Sequence, residues 1–134
     1  MLFRSLIEAE LLTEQSIRSG ADLLTAAKML HTMGPQTVVV KGGVRLLGDM
    51  AIDAVVSNNT EKMMQLPKIS QPYNNGAGCT FSAAIASQIS QDVPVITAID
   101  DAKDFVHDGI LHGVRLNDDF KVGNVWQAAR RHKR

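Results

Sequence analysis

Cysteine is scarce in this sequence, with a single residue, Cys79, in a chain of 134. A lone thiol excludes an internal disulfide, and the cysteine and histidines lack the spacing of zinc ligands. No apolar run approaches the roughly 18 residues that a membrane-spanning helix requires. The first five residues also lack the apolar core of a signal peptide. These absences predict a cytoplasmic protein, in a reducing compartment and without a membrane partner.

An excess of charge of either sign is also missing, because 14 lysines and arginines balance 14 aspartates and glutamates. Net charge therefore gives no reason to expect a nucleic-acid partner. Four basic residues do cluster at the end of the chain, and these are Arg130, Arg131, Lys133 and Arg134. No aromatic residue lies among them to stack on bases, so we interpret residues 130–134 as a solvated basic tail.

The length and the apolar patterning predict one modest α/β domain. Apolar residues at helical spacing predict helices over residues 7–13, 20–33, 79–89 and 95–113, and a short one over 124–130. The β-branched run Thr37 to Val40 predicts a strand that is buried on both faces. Residues 51–57 and 62–66 predict a hairpin.

The aspartates of the helix over 95–113 are interpreted as its solvated face, with a cation between Asp100 and Asp104 as the alternative.

Two glycines, Gly76 and Gly78, stand directly before a predicted helix. They allow a tight turn with inward-pointing amides, and the helix start adds aligned N–H groups that attract anions, phosphates especially. The absence of a G-x-x-x-x-G-K-[ST] element excludes a P-loop enzyme. Taken alone, the pattern favours a purely structural turn, and the anion-binding interpretation remains the alternative.

Two side chains near such turns are candidates for chemistry. Cys79 falls at the start of the helix, where the helix dipole favours the reactive thiolate form; the alternative is a small residue buried under the turn. Lys41 ends the buried strand, at the sheet edge where open α/β folds bind ligands. It either counters a phosphate charge or extends from the strand end into solvent.

Residues 76–85, GAGCTFSAAI, closely resemble the anion-hole segment of the ribokinase-like vitamin kinases. That group contains pyridoxine (pyridoxal) kinases and hydroxymethylpyrimidine/phosphomethylpyrimidine kinases. Three further blocks agree in order: residues 6–12 resemble the family's Asn-Leu-x-Glu-Ala segment, 38–43 its Val-Lys-Gly-Gly strand end, and 102–106 its late helix. The resemblance implies the C-terminal half of a ribokinase-like, Rossmann-like α/β/α sandwich, as a single partial domain over residues 1–134.

The resemblance also implies an activity, in which ATP donates its γ-phosphoryl group to a hydroxymethyl group on a pyridine or pyrimidine ring. The residues that would hold the transferring phosphoryl charge through their amides are Gly76, Ala77, Gly78 and Cys79. Cys79 would also occupy the position of the general base.

The remaining roles that the resemblance implies concern the nucleotide and its Mg²⁺ ion. Glu8 would match the acidic residue that orients magnesium and its waters, whereas Ser5 stands where a magnesium-linked asparagine is expected. Lys41 and Gly43 would lie by the nucleotide phosphates, and Lys103 near the adenine.

Family members are about twice as long, and by the resemblance the absent amino-terminal half holds the vitamin ring. We therefore expect a truncated or interrupted gene product, or a deliberate fragment, that does not catalyse alone. Unpartnered sheet edges favour a homodimer or association with the missing half. The primary hypothesis is a pyridoxine/pyridoxal kinase. The alternatives are a pyrimidine kinase of thiamin biosynthesis and a non-catalytic nucleotide-binding or dimerising remnant.

Overall fold

Two units make up the chain, Met1–Lys68 and Ile69–Arg134. The computed structural model of the protein describes residues 1–70, 73–120 and 122–132. The first unit consists of four strands and two helices, which are β1 (Leu2–Ser5), α1 (Leu6–Thr13), α2 (Gly20–Thr32), β2 (Thr37–Gly43), β3 (Met50–Ser57) and β4 (Thr60–Pro67). The second unit contains α3 (Ala77–Ile89), α4 (Val95–Leu111), β5 (Val114–Arg115), β6 (Gly123–Asn124) and a 3-10 helix (Ala129–His132).

The strands of the first unit form one mixed sheet in the order β1-β2-β3-β4. β1 is parallel to β2, whereas β3 is antiparallel to both of its neighbours. The valines Val38, Val39 and Val40 of β2 are completely buried, which confirms the predicted strand with two buried faces. Because β1 and β2 run in the same direction, the end of β1, the start of α1 and the end of β2 lie at one edge of the sheet.

The core of the first unit lies between the sheet and the two helices. One face of α2 is completely buried through Leu23, Ala27 and Leu30, which pack with Val38 and Val40 of the central strand. Leucines fill the space between helix and sheet, and the small alanine allows a close approach. Burial of these side chains is the main contribution to the stability of this unit.

The second unit is built on the helix pair α3 and α4, which pack against each other. Phe81 and Ile85 of α3 and Ile99 of α4 are buried, as the apolar spacing predicts. At the edge of this pair, the Gln88 Nε2 group donates a hydrogen bond of 2.9 Å to the Asp101 carboxylate. Across residues 1–70, 73–120 and 122–132, we find no helix with the length and apolarity needed to cross a membrane.

The segment after residue 123 differs from the predicted terminal helix. It forms the short strand β6 and then runs along the second unit, where its amides bond to distant carbonyls. The Val125 N–H donates to the Asn75 carbonyl at 3.1 Å, and the Trp126 N–H donates to the Gly109 carbonyl at 2.8 Å. These tertiary bonds replace the local bonds of a helix, so the prediction is wrong here, and only the 3-10 turn at Ala129–His132 is helical.

Arg130 also departs from the predicted solvated tail. Its guanidinium lies 2.9 Å from the Asp101 carboxylate and 3.5 Å from that of Asp108, with the Phe105 ring centroid at 5.3 Å. Half-exposed pairs of this kind contribute about 0 to 1 kcal/mol each. These pairs hold Arg130 on α4. Asp101 and Asp108, which the sequence predicts on the solvated face of the helix, are therefore ion-paired. Lys133 and Arg134 lie outside the described residues.

Candidate functional site

The start of α3 carries backbone donors that the protein leaves unfilled. Gly76 precedes the helix with a left-handed φ of 82°, and no side chain caps the helix. The Ala77 N–H donates to the Asn74 carbonyl at 3.1 Å, and the Thr80 N–H donates to the Gly76 carbonyl at 2.8 Å. Among the residues that the structure describes, the amides of Gly78 and Cys79 have no hydrogen-bond acceptor. Two aligned N–H groups are therefore available to an anion.

Space above these amides is open. Apart from its chain neighbours and the backbone of its own helix, a Cβ atom placed on Gly78 would lie more than 4 Å from every described residue, whereas one on Gly76 would lie 3.8 Å from Val125 Cγ2. A ligand atom can therefore approach the helix start at Gly78 without displacing a side chain. The helix dipole places partial positive charge at the same point.

Bonds on both sides hold this turn in place. The Asn75 N–H donates to the Gly123 carbonyl, and the Asn75 carbonyl accepts from Val125, both at 3.1 Å. Within the first turn of α3, the Gln127 Nε2 group donates to the Thr80 hydroxyl at 3.2 Å. A turn that is anchored in this way keeps its free amides in a fixed direction, which is what electrostatic preorganisation requires.

The four residues predicted to hold a phosphoryl group are contiguous at this helix start, but their amides are not equivalent. The bond to Asn74 occupies the Ala77 amide, so Ala77 shapes the turn, whereas Gly78 and Cys79 offer free donors. Cys79 is exposed. The alternative interpretation of Cys79 as a small residue buried under the turn is therefore wrong.

In the first unit, the predicted residues Glu8, Lys41 and Gly43 lie on elements that share one edge of the sheet. Ser5, the last residue of β1, lies opposite Lys41 in the parallel pair. Ser5 also caps α1: its backbone N–H and its hydroxyl each donate to Glu8 Oε2 at 2.8 Å. These bonds, first the backbone bond and then the side-chain bond, hold the pKa of Glu8 below its ordinary value. Glu8 is thus an ionised carboxylate beside the end of β2.

Lys41 does not simply extend into solvent. The residue is half-buried, and its Nζ atom lies 5.7 Å from the centroid of the Phe3 ring. A cation at this distance from an aromatic face is attracted to it. The ring therefore helps to keep the Lys41 ammonium group at the sheet edge.

A functional candidate that the motifs did not indicate is Asp53 on β3. It is only 3% exposed and lies directly opposite Lys41 in the antiparallel pair. The Gly43 N–H donates to its Oδ1 atom at 3.5 Å. The signal that could have revealed it is an acidic residue within the otherwise apolar run of residues 51–56.

The predicted magnesium and adenine contacts concern Glu8 and Lys103. The described ranges contain no group of three or more histidine, cysteine, aspartate or glutamate side chains that could hold a metal ion. Magnesium at phosphate-transfer sites needs fewer, because one or two carboxylates, phosphate oxygens and waters complete its shell. The ionised Glu8 fits that pattern. Lys103, predicted near the adenine, is 9% exposed on the buried face of α4, and its adenine contact stays a prediction.

Comparisons with known proteins agree on one family. The family model described as phosphomethylpyrimidine kinase matches residues 4–124. The chain is similar to the pyridoxine kinase of Bacillus subtilis, at 36% identity over 101 residues that make up 75% of this chain and 37% of that relative. It is also similar to the hydroxymethylpyrimidine/phosphomethylpyrimidine kinase of Haemophilus influenzae, at 31% identity over 126 residues, or 92% of this chain and 47% of that relative.

Among solved structures, the ADP complex of Bacillus subtilis pyridoxal kinase is similar, with a TM-score of 0.90 and 33% identity over 97% of this chain and 49% of that one. The chain thus spans half or less of the length of each of these proteins. The similarity confirms the predicted ribokinase-like α/β fold and the family that the GAGCTFS segment indicated. With the match over residues 4–124, this chain belongs to the phosphomethylpyrimidine kinase family.

Proposed function

We propose that this chain binds ATP and supplies the nucleotide-binding part of a kinase that phosphorylates the hydroxymethyl group of a vitamin ring, of the pyridoxine/pyridoxal type. The observation that carries the proposal is the pair of unfilled amides of Gly78 and Cys79 beneath open space. Similarity to a pyridoxine kinase and to an ADP complex of a pyridoxal kinase supports it.

The chemistry at the start of α3 follows from these groups. Bound ATP would supply the γ-phosphoryl group and leave as ADP. The amides of Gly78 and Cys79 donate to the phosphoryl oxygens as negative charge shifts in the transition state. Losing one such donor typically lowers kcat by about 10² to 10³. The Cys79 thiolate accepts the proton of the substrate hydroxyl, whose oxygen forms the new bond to phosphorus.

In the first unit, residues at the sheet edge are proposed to bind the phosphates and the Mg²⁺ ion of the nucleotide. Lys41 places a positive charge against the nucleotide phosphates, and Gly43 leaves room for them, because a Cβ atom there would meet nothing within 4 Å. Glu8 would hold a Mg²⁺ ion and its waters through its ionised carboxylate, and the ion would neutralise charge on the phosphates. Lys103 lies on the adenine side. Each of these roles is proposed from the family resemblance.

A second candidate function is the pyrimidine kinase of thiamin biosynthesis. The family model and the similar Haemophilus influenzae kinase, which covers 92% of this chain, favour it. The two candidates share the nucleotide chemistry and differ only in the ring that carries the hydroxymethyl group. The vitamin contacts would come from an N-terminal half or from a second copy of the chain. Both candidate functions require a reducing location such as the cytoplasm, because the proposed base, Cys79, must remain a free thiol.

Calorimetric titration with Mg-ATP tests nucleotide binding, after circular dichroism has shown a folded chain. We expect saturable binding, and at least a tenfold weaker affinity in Gly78→Val, whose side chain enters the open space. Ala83→Val is the matched control, because Ala83 is exposed on the same helix away from its start. A folded chain that does not bind Mg-ATP contradicts the proposal.

Turnover assays distinguish the candidate functions. Phosphorylation of pyridoxal supports the primary proposal, and phosphorylation of hydroxymethylpyrimidine alone supports the second candidate. Nucleotide binding without turnover of either ring, including in a mixture with the amino-terminal half of a similar pyridoxine kinase, supports a non-catalytic nucleotide-binding remnant. Unchanged affinity in Gly78→Val would instead favour a purely structural turn.

A further inference from the structure

We infer that Asp53 is a positioning residue: it holds the bulged end of β2 so that Lys41 faces the nucleotide phosphates. The inference rests on the proposed function for the role of Lys41, but the geometry of Asp53 stands by itself. Asp53 acts through Lys41 and Gly43, its neighbours across the β2–β3 pair.

The bulge is visible in the register of the two strands. Lys41 lies opposite Asp53, and the next paired residues are Gly43 and Ile52, so Gly42 is an extra residue on β2. Bulges of this kind bend a strand and redirect its side chains. Gly43 follows with a left-handed φ of 54°. The Asp53 carboxylate spans this irregularity, because its Oδ1 atom accepts the Gly43 N–H at 3.5 Å.

The two backbones come unusually close at the extra residue. A Cβ atom on Gly42 would lie 2.5 Å from the carbonyl oxygen of Ile52, the neighbour of Asp53 on β3. The bulge therefore depends on glycine for room and on Asp53 for a hydrogen bond to the amide that follows. A regular antiparallel pair requires neither the glycine nor the carboxylate, because backbone carbonyls accept all of its inter-strand hydrogen bonds.

Burial makes the acidic side chain at this position informative. Asp53 is 3% exposed between the fully buried Ala54 and the partly buried Ile52, where an apolar side chain would avoid the cost of desolvating a carboxylate. Directly opposite residues of an antiparallel pair point to the same face, so Asp53 and Lys41 are cross-strand neighbours of opposite charge. With the Phe3 ring 5.7 Å from Lys41 Nζ, the lysine is flanked by a ring on β1 and a carboxylate on β3.

Two substitutions and one control test this role. Asp53→Asn keeps the size and the Oδ1 acceptor for Gly43, whereas Asp53→Leu removes the acceptor and keeps the bulk. Val55→Ala is the control, because Val55 is fully buried two residues further along the same face and has no part in the bulge. We expect Asp53→Leu to weaken Mg-ATP binding about tenfold and Asp53→Asn to restore part of that loss. Val55→Ala should lower stability with an unchanged dissociation constant.

Hydrogen exchange of the Gly43 amide provides a readout that needs no nucleotide. It should be about tenfold faster in Asp53→Leu than in the original chain and close to the original rate in Asp53→Asn. Should the original chain fail to bind Mg-ATP, the proposed function fails while Gly43 exchange still tests Asp53. The inference would be overturned if both Asp53→Leu and Asp53→Asn matched the original chain in the exchange rate of the Gly43 amide and in the affinity for Mg-ATP. If Asp53→Leu does not fold, Asp53→Asn decides alone: an affinity for Mg-ATP weaker than that of the original chain supports the inference, and an affinity equal to that of the original chain overturns it.

Discussion

The chain contains two glycine-rich turns, one in each unit, and they use glycine in opposite ways. At the end of β2, the Gly43 amide is committed to the buried Asp53, and Gly42 lies against the backbone of β3. At the start of α3, the Gly78 amide has no acceptor in the described part of the chain, and the space beside it is open. Glycine in one turn allows close packing, whereas in the other it leaves donors accessible. The atoms around a glycine, rather than the residue type, therefore determine whether it allows close packing of strands or leaves an amide open to a ligand.

Gly42→Ala should cause the largest loss of stability. The new methyl group would lie 2.5 Å from the Ile52 carbonyl oxygen, so the strands must separate. We expect the free energy of unfolding to fall by about 3 kcal/mol, at the upper end of the usual range for overpacking. Urea denaturation followed by circular dichroism measures it. A loss below about 0.5 kcal/mol, the usual range of surface substitutions, would show that β2 and β3 adapt easily.

Gly76→Ala and Gly78→Ala should have opposite effects on stability within the second turn. At Gly76 the φ of 82° disfavours an L side chain, so alanine should cost about 1 to 2 kcal/mol. At Gly78, which is helical and open, alanine should stabilise by up to about 1 kcal/mol. Thermal unfolding of both variants gives the comparison. A destabilised Gly78→Ala would mean that this position is not open.

Ser5→Ala should destabilise the chain by about 1 kcal/mol, because it removes the side-chain cap of α1. The start of α3 has no such cap, so no serine there plays the same part. Ser19→Ala, which uncaps α2, is the positive control. Denaturant midpoints of the three chains measure the effect, and a Ser5→Ala chain as stable as the original would show that the side-chain bonds between Ser5 and Glu8 add nothing.

The cap of α1 also predicts a small dependence of stability on acid. Hydrogen bonds from Ser5 lower the pKa of Glu8 in the folded chain. The stabilisation is therefore fully present above the ordinary glutamate pKa of about 4.3, and it is lost as pH falls through the lower folded value. The stability difference between the original chain and Glu8→Gln should be constant above about pH 5 and shrink below pH 4. A difference that grows on acidification would contradict this sign.

The smallest expected effect is on the alkylation rate of Cys79. The thiol is exposed in the first turn of α3, where the helix start attracts negative charge. We expect iodoacetamide at neutral pH to react a few times faster, on the order of threefold, than with the urea-unfolded chain. Since Cys79 is the only cysteine, whole-chain mass measures this rate directly. A folded chain that reacts no faster would place the thiol outside the influence of the helix.

Local patterns predicted most helices and strands correctly, but they missed elements that depend on distant partners. The apolar spacing that indicated α2 and α4 is a property of the helices themselves. β1 was not predicted, because its four residues show no alternation of apolar and polar side chains. They form a strand only by pairing with β2. The predicted helix over 124–130 was wrong because Asn75 and Gly109 accept the amides of this segment.

The candidate site shows the same division. The GAGCTFS segment indicated the family because its residue types and spacing are specific to it, whereas the roles of Lys41 and Glu8 stay predictions. The occupied amide of Ala77 was not recognisable, because its acceptor is a carbonyl three residues away in a particular turn. Asp53 was missed, because an acidic residue within a strand becomes a functional candidate only when its burial and the residue opposite it are known.

The α/β class, the helices with strong apolar periodicity and the kinase family could all be read from the amino-acid sequence, because each is encoded in residue type and spacing along the chain. Three features required the folded chain: which amides remain free, the ion pair of Arg130 with Asp101, and the hydrogen bond from the Gly43 amide to Asp53. Hydrogen bonds and ion pairs depend on the distance between atoms that lie far apart in sequence. That distance is set when strands pair and helices pack, and no local pattern records it.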